Sequence, residues 1–122
     1  MNIYEVQPIF SHPTHPFELT IDAPGSKSIT NRALMLAALA NGETLLKGAL
    51  FSDDSRHFLQ CLKDLGFDVV VDEPAHTVRV TGLGGRIPKE TAAINVGSAG
   101  TAARFLTAML GCAKGVWHLD AS

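Results

Sequence analysis

A short pattern that occurs twice constrains the fold of this chain more than any other feature. Gly25-Ser26, then five residues, then Arg32 and two apolar residues are matched 72 residues later by Gly97-Ser98, five residues, Arg104 and two apolar residues. Each copy follows a strand-like segment and leads into a helix-forming one. A repeated supersecondary unit is typical of domains in which several units stack and share a core.

The order of apolar segments predicts an α/β (α+β) fold with one complete βαβαββ unit and part of a second. Serine, glycine and asparagine at the segment ends predict where helices begin and end. In the second helix, Phe58, Leu62 and Leu65 form one apolar stripe with Leu59 beside it. The predicted elements are a strand at 17–21, a helix at 25–40, a strand at 43–50, a helix between the N-cap Ser52 and Gly66, paired strands at 67–71 and 77–81, a loop at 82–85, a strand at 93–96, a helix at 101–110 and a strand at 116–119.

Composition and charge argue against several classes of protein. The chain has 122 residues, of which 46% are hydrophobic and 18% charged, as in an ordinary globular domain. A net charge of −2 with dispersed basic residues offers no surface for nucleic acid. The longest apolar run, Ala33–Ala40, is far shorter than the ~20 residues of a membrane helix. The N-terminus lacks a signal peptide's basic and apolar parts, which predicts a cytosolic location.

The cysteines and histidines indicate neither a metal site nor a catalytic pair. Cys61 and Cys112 lie among apolar helical residues without metal-ligand spacing, and we predict that both are buried and reduced. His12 and His15 are adjacent to prolines, with no helix or strand to hold a metal geometry. The remaining histidines have no acidic or cysteine partner at ligand spacing: His57, His76 and His118.

The first copy of the repeated pattern has the features of an anion-binding helix start. Backbone N–H groups are uncovered at a helix N-terminus, the helix dipole adds partial positive charge, and Lys27 and Arg32 add full charges. Ser28 and Arg32 are four residues apart and therefore share one helix face. A capped helix with solvated charges explains an isolated Gly-Ser-Lys-Ser equally well. Two cations so placed oppose the dipole, however, and this favours a ligand.

The second copy is a weaker candidate by itself. Gly100 has no Cβ and lets a ligand approach the backbone, Thr101 is the predicted cap, and Arg104 offers a fork of donors to a carboxylate or phosphate. A small-residue loop packed under a sheet explains this segment better when it is taken alone. Its match to the first copy reverses that preference. Asp53 and Asp54 are explained by helix capping, with a catalytic role as the second interpretation.

Two common nucleotide-binding motifs are absent. The first copy is not a P-loop, because Ser26 stands where a glycine must precede the lysine. The glycines at 82–85 follow a predicted strand but lead to no helix, so they do not form a dinucleotide-binding fingerprint.

Three motifs in this order resemble the N-terminal part of the EPSP synthase family, the 3-phosphoshikimate 1-carboxyvinyltransferases. The resemblance covers essentially the whole chain and implies an inside-out α/β barrel built from βαβαββ units. The motifs are Pro24-Gly25-Ser26-Lys27-Ser28 with Asn31-Arg32-Ala33-Leu34, Ser52-Asp53-Asp54-Ser55-Arg56-His57, and Gly97-Ser98-Ala99-Gly100-Thr101-Ala102-Ala103-Arg104.

The resemblance also implies an activity. Members of the family move the enolpyruvyl group of phosphoenolpyruvate onto the 5-hydroxyl of shikimate 3-phosphate and release phosphate, a step of the shikimate pathway toward aromatic amino acids. The reaction proceeds by addition and elimination through a tetrahedral intermediate in a cleft between two domains, without metal or organic cofactor. The implied partners are small phosphorylated substrates, not nucleic acid or membrane, and the implied enzyme is a monomer.

Carried over by position, the resemblance assigns roles to residues of this chain. Lys27 contacts both substrates and is catalytic, and Ser28 and Arg32 bind shikimate 3-phosphate. Gly100 lines the phosphoenolpyruvate pocket, where glyphosate competes. Ser98 stands where many members carry asparagine, so a short hydroxyl replaces a longer amide beside that pocket. Supporting roles fall to four residues: Ser98, Thr101, Arg104 and Asp54.

The resemblance extends to domain organisation. Residues 1–17 are expected to belong to the other domain of an intact enzyme, and residues 18–122 to form a truncated substrate-binding domain. The family's general acid and base lie in later sequence, so this chain is expected to be inactive alone, with sheet edges free to self-associate. Two alternatives stay open: a related enolpyruvyl transferase that acts on a UDP-sugar, and a stand-alone, non-catalytic phosphate-binding module.

Overall fold

The structure, a computed structural model, describes residues 25–122 together with Ile3, Glu5 and Thr20. Residues 25–122 form three helices and five strands, and each predicted element in this range is present within a few residues of its expected bounds. The predicted strand at 17–21 and the histidines at 12 and 15 lie outside the described residues, Thr20 excepted. The elements are α1 (Lys27–Leu39), β1 (Asn41–Lys47), α2 (Asp53–Asp64), β2 (Asp68–Asp72), β3 (Thr77–Leu83), β4 (Thr91–Asn95), α3 (Gly100–Gly111) and β5 (Val116–Asp120).

The strands form two sheets. β3 is the central strand of an antiparallel sheet of order β1-β3-β2, in which Leu45 pairs with Arg79 and Val69 with Val80. β4 and β5 are parallel, with Ala93 opposite His118. Two parallel strands must be joined by a connection that returns to the starting end of the sheet, and α3 forms this connection. The order α1-β1-α2-β2-β3 followed by β4-α3-β5 confirms the predicted succession from the first helix onward, and the strand expected before that helix lies outside the described residues.

The core lies where the helices cover one face of each sheet. The predicted stripe of α2 is confirmed, since Phe58, Leu62 and Leu65 are fully buried. β3 turns Val78 and Val80 toward the helices, in keeping with the two-residue period of a strand. α1 adds its own buried residues on the side that faces the other helices and β3: Leu34, Ala37 and Ala38.

The start of α2 is tied firmly to the loop before it. Ser52 is the N-cap, as predicted, and forms a capping box with Ser55. The fully buried Ser55 hydroxyl donates to the Leu50 carbonyl oxygen at 2.7 Å. The Leu50 N–H in turn donates to Thr30 Oγ1 of α1 at 3.1 Å. One peptide segment is therefore held by side chains from two helices.

β3 is two residues longer than the sequence predicts, because it continues through Gly82 and Leu83. Gly82 and Leu83, predicted as part of a loop, belong to the strand, and only Gly84 and Gly85 form the turn. A Cβ at Gly82 would overlap the carbonyl oxygens of Ala37 and Ala40 at the end of α1. The strand therefore passes so close to the helix that a larger residue has no room.

The two cysteines differ in their environments. Both are free, and Cys61 is fully buried as predicted. The prediction is wrong for Cys112, which is exposed. The physical reason is its position: Cys112 is the C-cap of α3, where the chain has left the helix and its buried face. No helix within residues 25–122 combines the length and apolar character that crossing a bilayer requires.

A thiol-labelling experiment should separate the two cysteines. Burial, aided by Asp64, raises the pKa of the Cys61 thiol from 9.0 to about 11. Because thiolate is the reactive form, we expect Cys112 to react promptly at pH 8 and Cys61 to react only after denaturation. Prompt reaction of both thiols in the folded protein would contradict the packing of α2.

The same raised pKa predicts a loss of stability in alkali. An unfolded thiol loses its proton near pH 9, whereas folded Cys61 retains it to about pH 11. The folded state binds the proton more tightly in this window, so the free energy of unfolding falls as the pH rises through it. Urea denaturation at pH 8 and pH 10 measures the difference, and Cys61→Ala should reduce this part of the pH dependence.

Candidate functional site

The first helix start presents cations on an open surface. Ser26 is the N-cap of α1, and its Oγ accepts from the Ile29 N–H at 3.2 Å. Lys27 and Ser28 follow as the first helical residues, both exposed, and the first turn contains no acidic residue. The positive end of the helix dipole and the Lys27 ammonium therefore reinforce each other in attracting an anion.

Lys27 is held over this helix start by an acidic residue of α2. Its Nζ lies 3.1 Å from Asp54 Oδ2, with the two side chains 51% and 24% exposed. Asp54 belongs to the first turn of α2, where an acidic side chain also complements the helix dipole. The ion pair therefore orients the ammonium group and brings the starts of α1 and α2 together.

Arg32 links α1 to α3. Its guanidinium donates to the Ser28 carbonyl oxygen at 3.0 Å, and its Cζ lies 5.6 Å from the centre of the Phe105 ring. The expectation that Ser28 and Arg32 share one helix face is confirmed, although the group contacted is the Ser28 carbonyl and not its hydroxyl. The Phe105 ring restricts the guanidinium in position while leaving its remaining donors available.

The second helix start is uncapped. α3 begins at Gly100 with Ala99 as its N-cap, and no side chain accepts a hydrogen bond from its first turn. The prediction that Thr101 caps this helix is therefore wrong, because Thr101 already lies inside the first turn. A Cβ at Gly100 would meet nothing within 4 Å. The space beside Gly100 is therefore open, and the first backbone N–H groups of α3 have no side-chain capping acceptor.

The two copies of the sequence pattern are not equivalent in geometry. Ser26 is an N-cap, whereas Ser98 precedes the N-cap of its helix by one residue and is exposed. Arg32 and Arg104 consequently stand at different positions of their helices. Both segments do precede helix starts, so the inference of two such starts is confirmed, while the capping at the two starts differs.

The three helix starts lie at one end of the structure. Lys27 meets Asp54 across α1 and α2, and the His57 ring of α2 lies against Gly97, just before α3. These contacts bring the starts of α1 and α2 together and set the loop before α3 against α2. Chemically, this arrangement can bind and orient anionic groups through exposed cations and backbone N–H groups. No cluster of three potential metal-binding side chains occurs among the described residues.

An apolar cavity of about 450 Å³ lies elsewhere, between α3 and β5. Its lining includes Leu110, Val116 and Trp117 but no charged side chain, so it does not suit a phosphorylated ligand. Because Leu110 is near the C-terminal end of α3 and Gly100 starts that helix, the cavity is separate from the helix starts.

Sequence reasoning overlooked three residues at the helix starts. Phe105 and His57 act through contacts between helices, which spacing along the chain does not reveal. Asn31 is buried, and its amide nitrogen and oxygen have no hydrogen-bond partner among the described residues. The sequence signal for Asn31 was a polar amide shortly before the apolar part of α1, which the buried position of this residue now gives a meaning. A contact between His118 and Asp120, at 3.1 Å, also shows that His118 does have an acidic neighbour.

Comparison with known proteins identifies the family. The sequence model of EPSP synthase (3-phosphoshikimate 1-carboxyvinyltransferase) matches residues 12–121. The 3-phosphoshikimate 1-carboxyvinyltransferase of Trichormus variabilis is 48% identical over 105 residues, which are 86% of this chain and 25% of the relative. That of Cupriavidus taiwanensis is 50% identical over 101 residues, 83% of this chain and 23% of the relative. The chain belongs to the EPSP synthase family.

Solved structures agree with this assignment. EPSP synthase from Acinetobacter baumannii superimposes with a TM-score of 0.72 at 30% identity, over 82% of this chain and 23% of that one.

A further sequence relative is the Komagataella phaffii pentafunctional AROM polypeptide, at 47% identity over 100 residues, 81% of this chain and 6% of the relative. The chain spans about a quarter of the length of the Trichormus variabilis relative. The chain therefore has a mixed α/β fold that matches part of the EPSP synthase structure.

Proposed function

We propose that this chain supplies substrate-binding helix starts to an enzyme that transfers the enolpyruvyl group of phosphoenolpyruvate to the 5-hydroxyl of shikimate 3-phosphate. Phosphate is released. The observation that supports this most is the meeting of three helix starts, with Lys27 and Arg32 exposed beside them, in a member of the EPSP synthase family. Both proposed substrates are phosphorylated anions, which this surface suits.

The proposed roles are those that the family resemblance implies for these positions. Lys27, which stands at the start of α1 and pairs with Asp54 of α2, contacts both substrates in this proposal. Ser28 and Arg32 bind shikimate 3-phosphate on the exposed face of α1. Gly100 lines the space for phosphoenolpyruvate. The remaining members of the site have supporting roles: Ser98, Thr101, Arg104 and Asp54.

In this proposal the chain contributes electrostatics and orientation. The 5-hydroxyl oxygen loses its proton and adds to the carbon of phosphoenolpyruvate that bears the phosphate, while the methylene carbon gains a proton. Phosphate then leaves from the tetrahedral intermediate as the new methyl group loses a proton, which restores the double bond. Lys27 between two anions offsets their repulsion, and a fixed charge of this kind stabilises the transition state without reorganisation. We expect the 122-residue chain by itself to bind ligands without turnover. Its cytosolic location and the monomeric state of the enzyme stay predictions.

A hybrid enzyme tests the proposed reaction. This chain would replace the matching N-terminal quarter of the Trichormus variabilis relative, and phosphate release from phosphoenolpyruvate would be measured with shikimate 3-phosphate or with UDP-N-acetylglucosamine. Release that requires shikimate 3-phosphate is the expected result. Release with the UDP-sugar alone would favour the alternative transferase. A folded hybrid inactive with both, beside an active parent relative, would reject the proposal in favour of a phosphate-binding module.

Gly100→Ala should impair phosphoenolpyruvate binding without harming the fold. The added methyl group meets no protein atom within 4 Å, so stability should be unchanged, but it enters the space assigned to the ligand. We expect the KM for phosphoenolpyruvate in the hybrid to rise about 10- to 100-fold, the range for steric overpacking. Gly111→Ala, at the other end of α3 and equally unobstructed, is the matched control. An unchanged KM would remove Gly100 from the pocket.

A further inference from the structure

The imidazole of His57 fills the space directly beside Gly97. A Cβ at Gly97 would lie 2.5 Å from His57 Nε2 and 2.6 Å from Cε1, and the φ angle of Gly97 is +58°. Only glycine tolerates both this backbone conformation and this close approach. His57 is therefore in contact with the backbone that leads, three residues later, to Gly100.

Two hydrogen bonds hold Gly97 from its other sides. Its N–H donates to Asn95 Oδ1 at 2.7 Å, and its carbonyl oxygen accepts from the Ser122 N–H at 2.9 Å. Both partners belong to the β4 and β5 side of the structure. His57 is the contact from α2, so it limits how far this loop can move toward the helix.

The same turn of α2 also contacts the first helix start. Asp54 and His57 are three residues apart and thus lie on neighbouring positions of one helix face. Asp54 meets Lys27, and His57 meets Gly97. We propose that His57 is a positioning residue, which fixes the loop from Gly97 to Gly100 at a set separation from Lys27.

This inference rests on the proposed function, because a set separation matters when two ligands must react with each other. A displacement of about 1 Å between reacting groups can reduce a rate by about 100-fold. His57 does not need to touch either substrate for this. Its effect passes through the backbone of the loop, so its shape should matter more than its ability to carry charge.

Hydrogen exchange of the unliganded 122-residue chain tests the contact without any assumption about function. In His57→Ala, we expect the Gly97 and Ala99 amides to exchange about tenfold faster, since both make hydrogen bonds within this loop. Amides in the middle of α1 should keep their rates. His57→Phe, which refills the space, should restore slow exchange in the loop. His118→Ala, the removal of an exposed histidine, is the control.

Kinetics of the hybrid enzyme then test the consequence for function. With His57→Ala we expect kcat/KM for phosphoenolpyruvate to fall about 10- to 100-fold and the KM for shikimate 3-phosphate to stay within twofold. His57→Phe should recover most of the loss. Equal effects on both substrates would indicate a general structural role and overturn the proposal. Unchanged exchange in the loop would overturn it as well, even if the hybrid itself proved inactive.

Discussion

Lys27→Ala should remove most of the affinity of this chain for shikimate 3-phosphate. A charge-assisted contact to phosphate contributes about 1.5–3 kcal/mol, which corresponds to a loss of about 10- to 100-fold in affinity. In the hybrid enzyme the loss in kcat/KM should be larger, about 100- to 1,000-fold, because the same charge is expected to stabilise the transition state. Isothermal calorimetry of both chains with shikimate 3-phosphate measures the first effect, and phosphate release measures the second.

The controls for this experiment follow from the ion pair. Removing Lys27 leaves the Asp54 carboxylate without its partner, and this negative charge would repel an anion further. Lys27→Ala combined with Asp54→Asn separates the lost ammonium from the unpaired carboxylate. Lys114→Ala removes the same charge from an exposed position beyond the C-terminal end of α3. Equal heats from the original chain and Lys27→Ala would exclude Lys27 from the site.

Gly82→Ala should cause the largest loss of stability among the glycine substitutions proposed here. The new methyl group would overlap backbone oxygens of α1 and lie 2.9 Å from the Ala38 oxygen, and backbone cannot move aside as a flexible side chain does. Separating β3 from α1 disturbs the interface that buries Val80 and Ala38. We expect the free energy of unfolding to decrease by about 1–3 kcal/mol, which is the typical cost of overpacking a core.

Urea denaturation of the 122-residue chain measures this loss as a lower midpoint at an unchanged slope. Gly111→Ala is the control, because its Cβ meets nothing within 4 Å and its φ is not positive. In that variant a helix position gains a better helix former, so its midpoint should stay or rise. A midpoint for Gly82→Ala equal to that of the original chain would show that β3 lies further from α1 than described.

Local signals in the sequence were sufficient for most of the fold. α2 was predicted with its cap and its buried stripe because Ser52, the apolar spacing and Gly66 all agree. Gly82 was misassigned for the opposite reason. Its neighbours resemble a turn, whereas the cause of a glycine at this position is the proximity of α1, which is distant along the chain.

The candidate site could be predicted as a set of helix starts but not as an arrangement. Charge and capping patterns pointed to Lys27 and Arg32, since these depend on neighbouring residues only. The contacts of Asp54 with Lys27 and of His57 with Gly97 depend on how helices pack. Thr101 shows the limit of local rules, because the N-cap is Ala99, two residues earlier than predicted, and Thr101 therefore lies in the first turn.

The loop at Leu50 has a consequence for motion. Its N–H and carbonyl groups are bonded to Thr30 and Ser55, so the first turns of α1 and α2 are fastened to the same peptide segment and cannot slide past each other without breaking these bonds. The loop before α3 also meets α2, through the His57 ring beside Gly97 and through the Cys61 thiol, which donates to the Asn95 carbonyl oxygen at 3.3 Å. Any closing movement around a bound ligand should therefore leave the first turns of α1 and α2 fixed relative to each other.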